Sequence, residues 1–143
     1  MLLGTHEHTL DDKNRLTLPA RFRRAFADGV VVSRGMDGCL AVYPLPEWER
    51  MWERLARLDT LSAEARRIRR YFFSGAVADE LDKQGRVAVP GPLKEYAKLD
   101  RDVVVAGVHD HLEIWDRAHW RRELTEFEGS AEDVAERLAA HRD

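Results

Sequence analysis

A carboxylate followed four residues later by a guanidinium occurs twice in this chain, as Asp11-Asp12-Lys13-Asn14-Arg15 and as Asp82-Lys83-Gln84-Gly85-Arg86. Asn14 and Gly85 hold the same place in the two segments. Asparagine and glycine tolerate positive φ best, so the spacing predicts a tight turn with a left-handed position just before each arginine. An aspartate opening such a turn can accept hydrogen bonds from the turn amides. Two readings of the chemistry fit. In one, Asp and Arg pair across the turn and only stabilise it. In the other, Asp11 and Asp82 orient Arg15 and Arg86, with Lys13 and Lys83 beside them, toward phosphates or base edges, which a planar guanidinium can grip with two hydrogen bonds.

The remaining reactive side chains make weaker cases. His6 and His8 form one pair and His109 and His111 another, each spaced so that both rings share one face of a strand, and together they could offer four nitrogens to a metal. Asp11 and Asp82 could be paired carboxylates for acid and base work, but the arginine four residues after each would hold its pKa low. The single cysteine, Cys39, has no base near it in sequence and excludes an internal disulfide framework. No phosphate-binding or dinucleotide loop is present. The expectation is a protein that is not an enzyme and holds no cofactor and no intrinsic metal.

The elements that must position the two turns come from a tandem duplication. Gly4, Leu10, Asp11, Arg15 and Pro19 match Gly75, Leu81, Asp82, Arg86 and Pro90 at a shift of 71 residues. After one extra residue near Asp100 the shift becomes 72, and Val31, Val32, Gly35, Leu40 and Trp48 match Val103, Val104, Gly107, Leu112 and Trp120. The histidines do not follow the repeat, which argues against a duplicated metal site. In each copy RLTL or RVAV alternates as a short half-buried strand should, and Pro19 or Pro90 then ends the strand and can occupy the first turn of a helix. A hairpin and a longer helix follow. Trp48, Met51, Trp52, Leu55 and Leu58 in the first copy, and Trp120, Leu124 and Phe127 in the second, have the spacing of helical core stripes. Ser62 and Ser130 are placed to cap further helices. About 70 residues with four short strands cannot cover both faces of their own sheet, so the two copies should interlock around one core with approximate twofold symmetry.

Charge is uneven. Residues 1–72 carry 13 basic and 10 acidic groups and residues 73–143 carry 10 and 16, which makes the first half the better candidate for an anionic partner. Arg21, Arg23 and Arg24 follow Arg15 in sequence where the second copy has Pro92, Lys94 and Glu95, and the first turn is therefore expected to matter more. The basic stretch Arg50 to Arg70 reads as a solvated helix face, and the acidic tail from Glu123 as pointing away from DNA or meeting a neighbouring subunit's basic helix. No apolar run approaches the roughly 20 residues of a membrane span, and a single cysteine fits a reducing cytosol.

The segments DDKNRLTLPARFR and LDKQGRVAVPGPLKEY, with GVVVSRGMDGCLAVYP between them and Ser74 to Ala76 ahead of the second copy, resemble the MraZ family of bacterial transcriptional regulators, which is related to AbrB-type regulators. The resemblance covers Met1 to about Trp120. It implies an α+β, mainly β fold: a pseudo-twofold β-barrel of two AbrB-like swapped-hairpin repeats with peripheral helices. The corresponding division is residues 1–61 and 73–128 as the repeats, 62–72 as a linking helix and 129–143 as a helical tail, all in one interlocked domain. It also implies a ring-shaped homo-oligomer in the cytoplasm, associated with the nucleoid. Its partner would be double-stranded DNA at short direct repeats upstream of the division and cell-wall gene cluster, including its own gene. The arginines matching the family motif are Arg15 and Arg86. With the turn chemistry above, the candidate DNA-binding residues are Lys13, Asn14, Arg15, Arg21, Lys83 and Arg86, with Asp11 and Asp82 orienting them. The rival is an oligomeric assembly module whose turns make subunit contacts and bind no DNA.

Overall fold

The computed structural model describes residues 1–141; Arg142 and Asp143, the end of the expected tail, lie outside the described residues. In the first copy β1 (Leu2–Thr9) leads through the first turn into β2 (Arg15–Thr17), the short helix α1 (Ala20–Arg23), the hairpin β3 (Val30–Arg34) and β4 (Leu40–Pro44), and α2 (Leu45–Ala56). Helix α3 (Ala63–Ser74) connects to the second copy, which repeats the order as β5 (Val77–Asp79), β6 (Arg86–Ala88), α4 (Gly91–Tyr96), β7 (Asp102–His109), β8 (Leu112–Asp116) and α5 (Arg117–Glu128). A final helix, α6, spans Ala131–Ala140.

Pro19 and Pro90 stand one residue ahead of the first helical turn and not within it, because their ψ of 137° and 146° is still extended while φ is already fixed for the helix. Ser62 caps α3, accepting a 3.3 Å hydrogen bond from the Ala65 amide. Ser130 holds the N-cap position of α6 but its hydroxyl makes no capping bond. Only Gly129 and Ser130 separate α5 from α6, and the Ser130 hydroxyl turns back to donate to the Phe127 carbonyl at the end of α5.

Six strands form one antiparallel sheet in the order β1-β7-β8-β4-β3-β5, and β2 pairs with β6 in a separate two-stranded ribbon. Exchanging the two copies reverses the sheet order onto itself, so the pseudo-twofold relation runs between β8 and β4. Each copy's first strand pairs with the other copy's third: β1 lies on β7 and β5 on β3. These pairings leave β1 and β5 as the sheet's two edges, so the described ladders form an open sheet rather than a hydrogen-bonded closed barrel.

Register corrects the sequence alignment of the hairpins. Val31 lies opposite Tyr43 and Val104 opposite Trp115, while Tyr43 and Trp115 are related by 72 residues. Val31 therefore corresponds to Val104, not Val103, and Gly35 and Gly107 are not equivalent. The extra length before β7 is two residues, and the loop between β7 and β8 is one shorter. The physical reason is side-chain alternation, since a one-residue slip would turn the strand's apolar side chains away from the core. With the correct register Val30 and Val32 match Val103 and Val105, all four buried in the same core.

That core joins repeat-related positions from both copies: Leu16 and Val87, Leu18 and Val89, Phe22 and Leu93, Leu40 and Leu112, Val42 and Ile114. Cross-copy polar ties add to it, such as the Tyr96 hydroxyl donating to the Gly35 carbonyl at 2.6 Å. The stripes of the longer helices are not part of this core. Trp48 meets Tyr43 edge-on at 5.6 Å and Trp120 meets Trp115 at 5.5 Å, so only the start of each helix docks. Met51 and Leu55 are half-buried, whereas Trp52, Leu124 and Phe127 are exposed, because α2 and α5 run off the sheet; Leu58, expected on the same stripe, lies beyond the end of α2 and is also exposed. Among the described residues no helix is long and apolar enough to cross a membrane.

Leu16, fully buried where the ribbon meets the rest of the core, sets a test. Leu16→Ala is expected to lower the unfolding free energy by about 2–5 kcal/mol in a urea titration. A loss below about 1 kcal/mol would show that the ribbon is not packed into the core.

Candidate nucleic-acid interface

The two turns are built alike, atom for atom. In the first, Asp11 Oδ1 accepts from the amides of Lys13 and Arg15, each at 2.9 Å, and Oδ2 accepts from Arg15 Nε at 2.8 Å. In the second, Asp82 Oδ1 accepts from the amides of Gln84 and Arg86, each at 2.9 Å, and Oδ2 from Arg86 Nε at 2.6 Å. Asn14 has φ of 57° and Gly85 of 74°, the left-handed position anticipated from their residue types. The Arg15 amide holds the Asp11 carboxyl below its usual range, with help from the Arg15 guanidinium and the Lys13 amide and against an opposing effect of desolvation. The amide and guanidinium of Arg86 do the same for Asp82. Both aspartates are therefore ionised at neutral pH and act as fixed anchors rather than as an acid and base pair.

Pairing of β2 with β6 brings the turns to opposite ends of one short ribbon. Arg15 lies opposite Ala88, Leu16 opposite Val87 and Thr17 opposite Arg86. Two further bonds extend the ribbon: the Leu18 amide donates to the Gly85 carbonyl and the Val89 amide to the Asn14 carbonyl, each at 2.9 Å. Leu16 and Val87 point into the core. Strand alternation then turns Arg15, Thr17, Arg86 and Ala88 to the outer face. Arg15 and Arg86 become diagonal cross-strand neighbours, with Cα atoms roughly 7–8 Å apart. The two turns thus flank one short ribbon.

In both arginines Nε is spent on the aspartate. The terminal nitrogens of Arg15 have no further hydrogen-bond partner among the described residues, and those of Arg86 have one, Gln84 Oε1 at 3.3 Å. What results is a pair of pre-oriented guanidinium forks facing outward. Lys13 and Lys83 stand exposed at the two turn tips. Arg21 is elsewhere. It donates to the Leu3 carbonyl at 3.1 Å, contacts His6 and lies over the Phe22 ring, so α1 directs it onto β1 and away from the turn.

Two cations at the turns do not figure among the candidates drawn from the sequence. Lys94 Nζ donates to Asn14 Oδ1 at 3.0 Å, so the first copy's turn is completed by a lysine of the second copy. Arg23 packs over Gly85 in the second turn and ties its Nε to the Leu18 carbonyl at 3.0 Å. Arg23 and Lys94 are related by the 71-residue shift, four residues after Pro19 and Pro90, and that alignment was the available signal. Reading neighbours along the chain put Arg23 beside Arg15; the interlocked pairing puts it at the other turn. The surface also carries acids: Asp12 and Asp100 line the cleft beside Asn14 and Lys94, and Glu80 the one beside Arg23. The histidine pairs separate, with His6 edge-on to Phe22 and His111 stacked on Tyr43 and bonded to Asp110.

A two-stranded ribbon with paired arginines on its outer face, folded from two interlocked copies of one unit, places the chain among small domains built by duplication. Comparison with known proteins narrows it. The sequence matches the family described as "MraZ protein, putative antitoxin-like" twice, over residues 1–71 and 72–142. It is 46% identical over 138 residues to the "Transcriptional regulator MraZ" of Moorella thermoacetica, covering 96% of each chain. It is 48% identical to the protein of that name from Salinispora arenicola over 95% of this chain and 96% of the relative, and 41% identical to that from Natranaerobius thermophilus over 96% of each. The chain belongs to the MraZ family.

The two turns differ in how they accommodate the visiting cation, and this gives a packing test. A Cβ on Gly85 would collide with the Arg23 side chain, whereas Asn14 receives the slimmer lysine. Gly85→Asn is expected to lower the melting temperature, and Arg23→Lys added to it to recover most of the loss. A Gly85→Asn protein as stable as the parent would contradict this arrangement.

Proposed function

We propose that the chain is a transcriptional regulator that binds double-stranded DNA through the outer face of the β2–β6 ribbon and does no catalysis. The observation that carries this reading is the pair of arginines on the outer face of one ribbon, each guanidinium held by an aspartate through Nε. The names of the relatives support it. A major groove admits a two-stranded ribbon, and an arginine fork matches the two acceptors of guanine. Arg15 and Arg86 would read bases or grip phosphates, Lys13 and Lys83 would meet the backbone on either side, and the side-chain amide of Asn14 would help fix the register.

One ribbon supplies few phosphate contacts, too few for tight binding at physiological salt. Several ribbons in one rigid particle would raise avidity by orders of magnitude if their spacing matched that of repeated sites. The exposed apolar side chains support such a homo-oligomer: Trp52, Leu61, Ile68, Leu124, Phe127 and Leu138 all face outward, with Leu61 88% exposed. A head-to-tail interface of unlike surfaces closes into a ring when its rotation divides a full circle. The finer reading is then a cytoplasmic, nucleoid-associated ring on short direct repeats upstream of its own gene and the division and cell-wall cluster. Those same apolar side chains also favour the second reading, an assembly module without DNA.

A gel-shift titration with the DNA upstream of the chain's own gene separates the two. The parent is expected to bind, and Arg15→Ala, folded as judged by circular dichroism, to bind more weakly by about 1–3 kcal/mol. A folded parent that leaves this DNA unshifted, or an Arg15→Ala protein that binds as tightly as the parent, would favour the assembly module.

A further inference from the structure

We propose that Arg23 and Lys94 are DNA-contacting residues exchanged between the copies, so that each binding turn is a composite of an Asp/Arg loop from one repeat and a cation from the other. This rests on the reading of the ribbon as a DNA-binding face. Lys94 spends one donor on Asn14 Oδ1 at 3.0 Å, and an ammonium has three. Arg23 spends its Nε on the Leu18 carbonyl at 3.0 Å, which leaves the four terminal N–H groups of its guanidinium. Both side chains are half-buried at a turn, held in place with donors to spare.

The pattern resembles that of Arg15 and Arg86, where Nε anchors the guanidinium on an aspartate and terminal donors remain, all of them in Arg15 and all but the one given to Gln84 in Arg86. Four cations, two per turn, are then fixed around one ribbon, so little side-chain entropy is lost when a phosphate arrives. The chemistry selected is a backbone phosphate rather than a base, because Arg23 and Lys94 rise from α1 and α4 at the flanks of the ribbon and not from its outer face. The turns also become interdependent. Lys94 bonds the side chain of Asn14, and the Asn14 carbonyl accepts from the Val89 amide, so the first turn reaches its binding geometry only when the second copy is docked.

The test is the salt dependence of binding to the DNA upstream of the chain's own gene, measured by fluorescence anisotropy with the full-length protein. Lys94→Gln keeps a donor for Asn14 and removes the charge. It is expected to flatten the slope of log affinity against log salt by about one unit, as loss of one phosphate contact does. Lys94→Arg should leave the slope unchanged, and Arg23→Met should flatten it as Lys94→Gln does. If Arg23→Met does not fold, the Lys94 pair decides. An unaltered slope in Lys94→Gln, in an assay where Arg15→Ala weakens binding, would overturn this inference and leave the ribbon reading standing. A parent protein that binds no DNA would overturn both.

Discussion

Three antiparallel residue pairs, Arg15 with Ala88, Leu16 with Val87 and Thr17 with Arg86, are the constraint on which the rest of the molecule depends. They join the same strand from two copies of one unit, with Leu16 and Val87 sealing the inner side. Because the strands alternate, burying these two residues forces both arginines outward onto a common face. Core packing and the presentation of charge are therefore one event. A sequence that satisfied the core without the pairing would scatter the arginines, and one that paired without burying Leu16 and Val87 would leave the ribbon without support.

How much of this was legible in the chain depended on whether the information was local. The turns were: an aspartate, a residue that accepts positive φ and an arginine, at fixed spacing, define a hydrogen-bond pattern that closes within five residues. Asn14 and Gly85 took the conformation their residue types allow. The interlocking was also legible in outline, since one copy's strands could not bury themselves. What remained hidden was non-local. Nothing along the chain says that Lys94 belongs to the turn at Asn14, because the two meet only after the copies exchange strands. The fold of the first copy also sends Arg21 to the β1 carbonyl of Leu3, 18 positions back along the chain.

Two other departures have physical causes. Identical valines in β3 and β7 invited an alignment one residue out of register, and only the cross-strand partners Tyr43 and Trp115 show which valines face the core. The apolar stripes of α2 and α5 have the period of a core face, yet period reports amphipathicity and not the identity of the covering surface. Trp52 and Phe127 are 48% and 47% exposed in the single chain, so their spacing states a need for burial that the chain by itself does not meet.

The central claim is that the copies fold as one unit closed at the ribbon, and it is tested most directly by native-state hydrogen exchange at two amides, Leu18 and Val89, which donate to the carbonyls of Gly85 and Asn14 in the opposite copy. Amides that open only when the whole domain unfolds share one exchange free energy, whereas amides at a loosely attached edge exchange through local opening at lower cost. The account predicts that Leu18 and Val89 exchange with the same free energy as Val105 and Ile114 in the central sheet, and that all four respond equally to added denaturant. Exchange at Leu18 and Val89 through a denaturant-insensitive opening, well before the central strands, would contradict it.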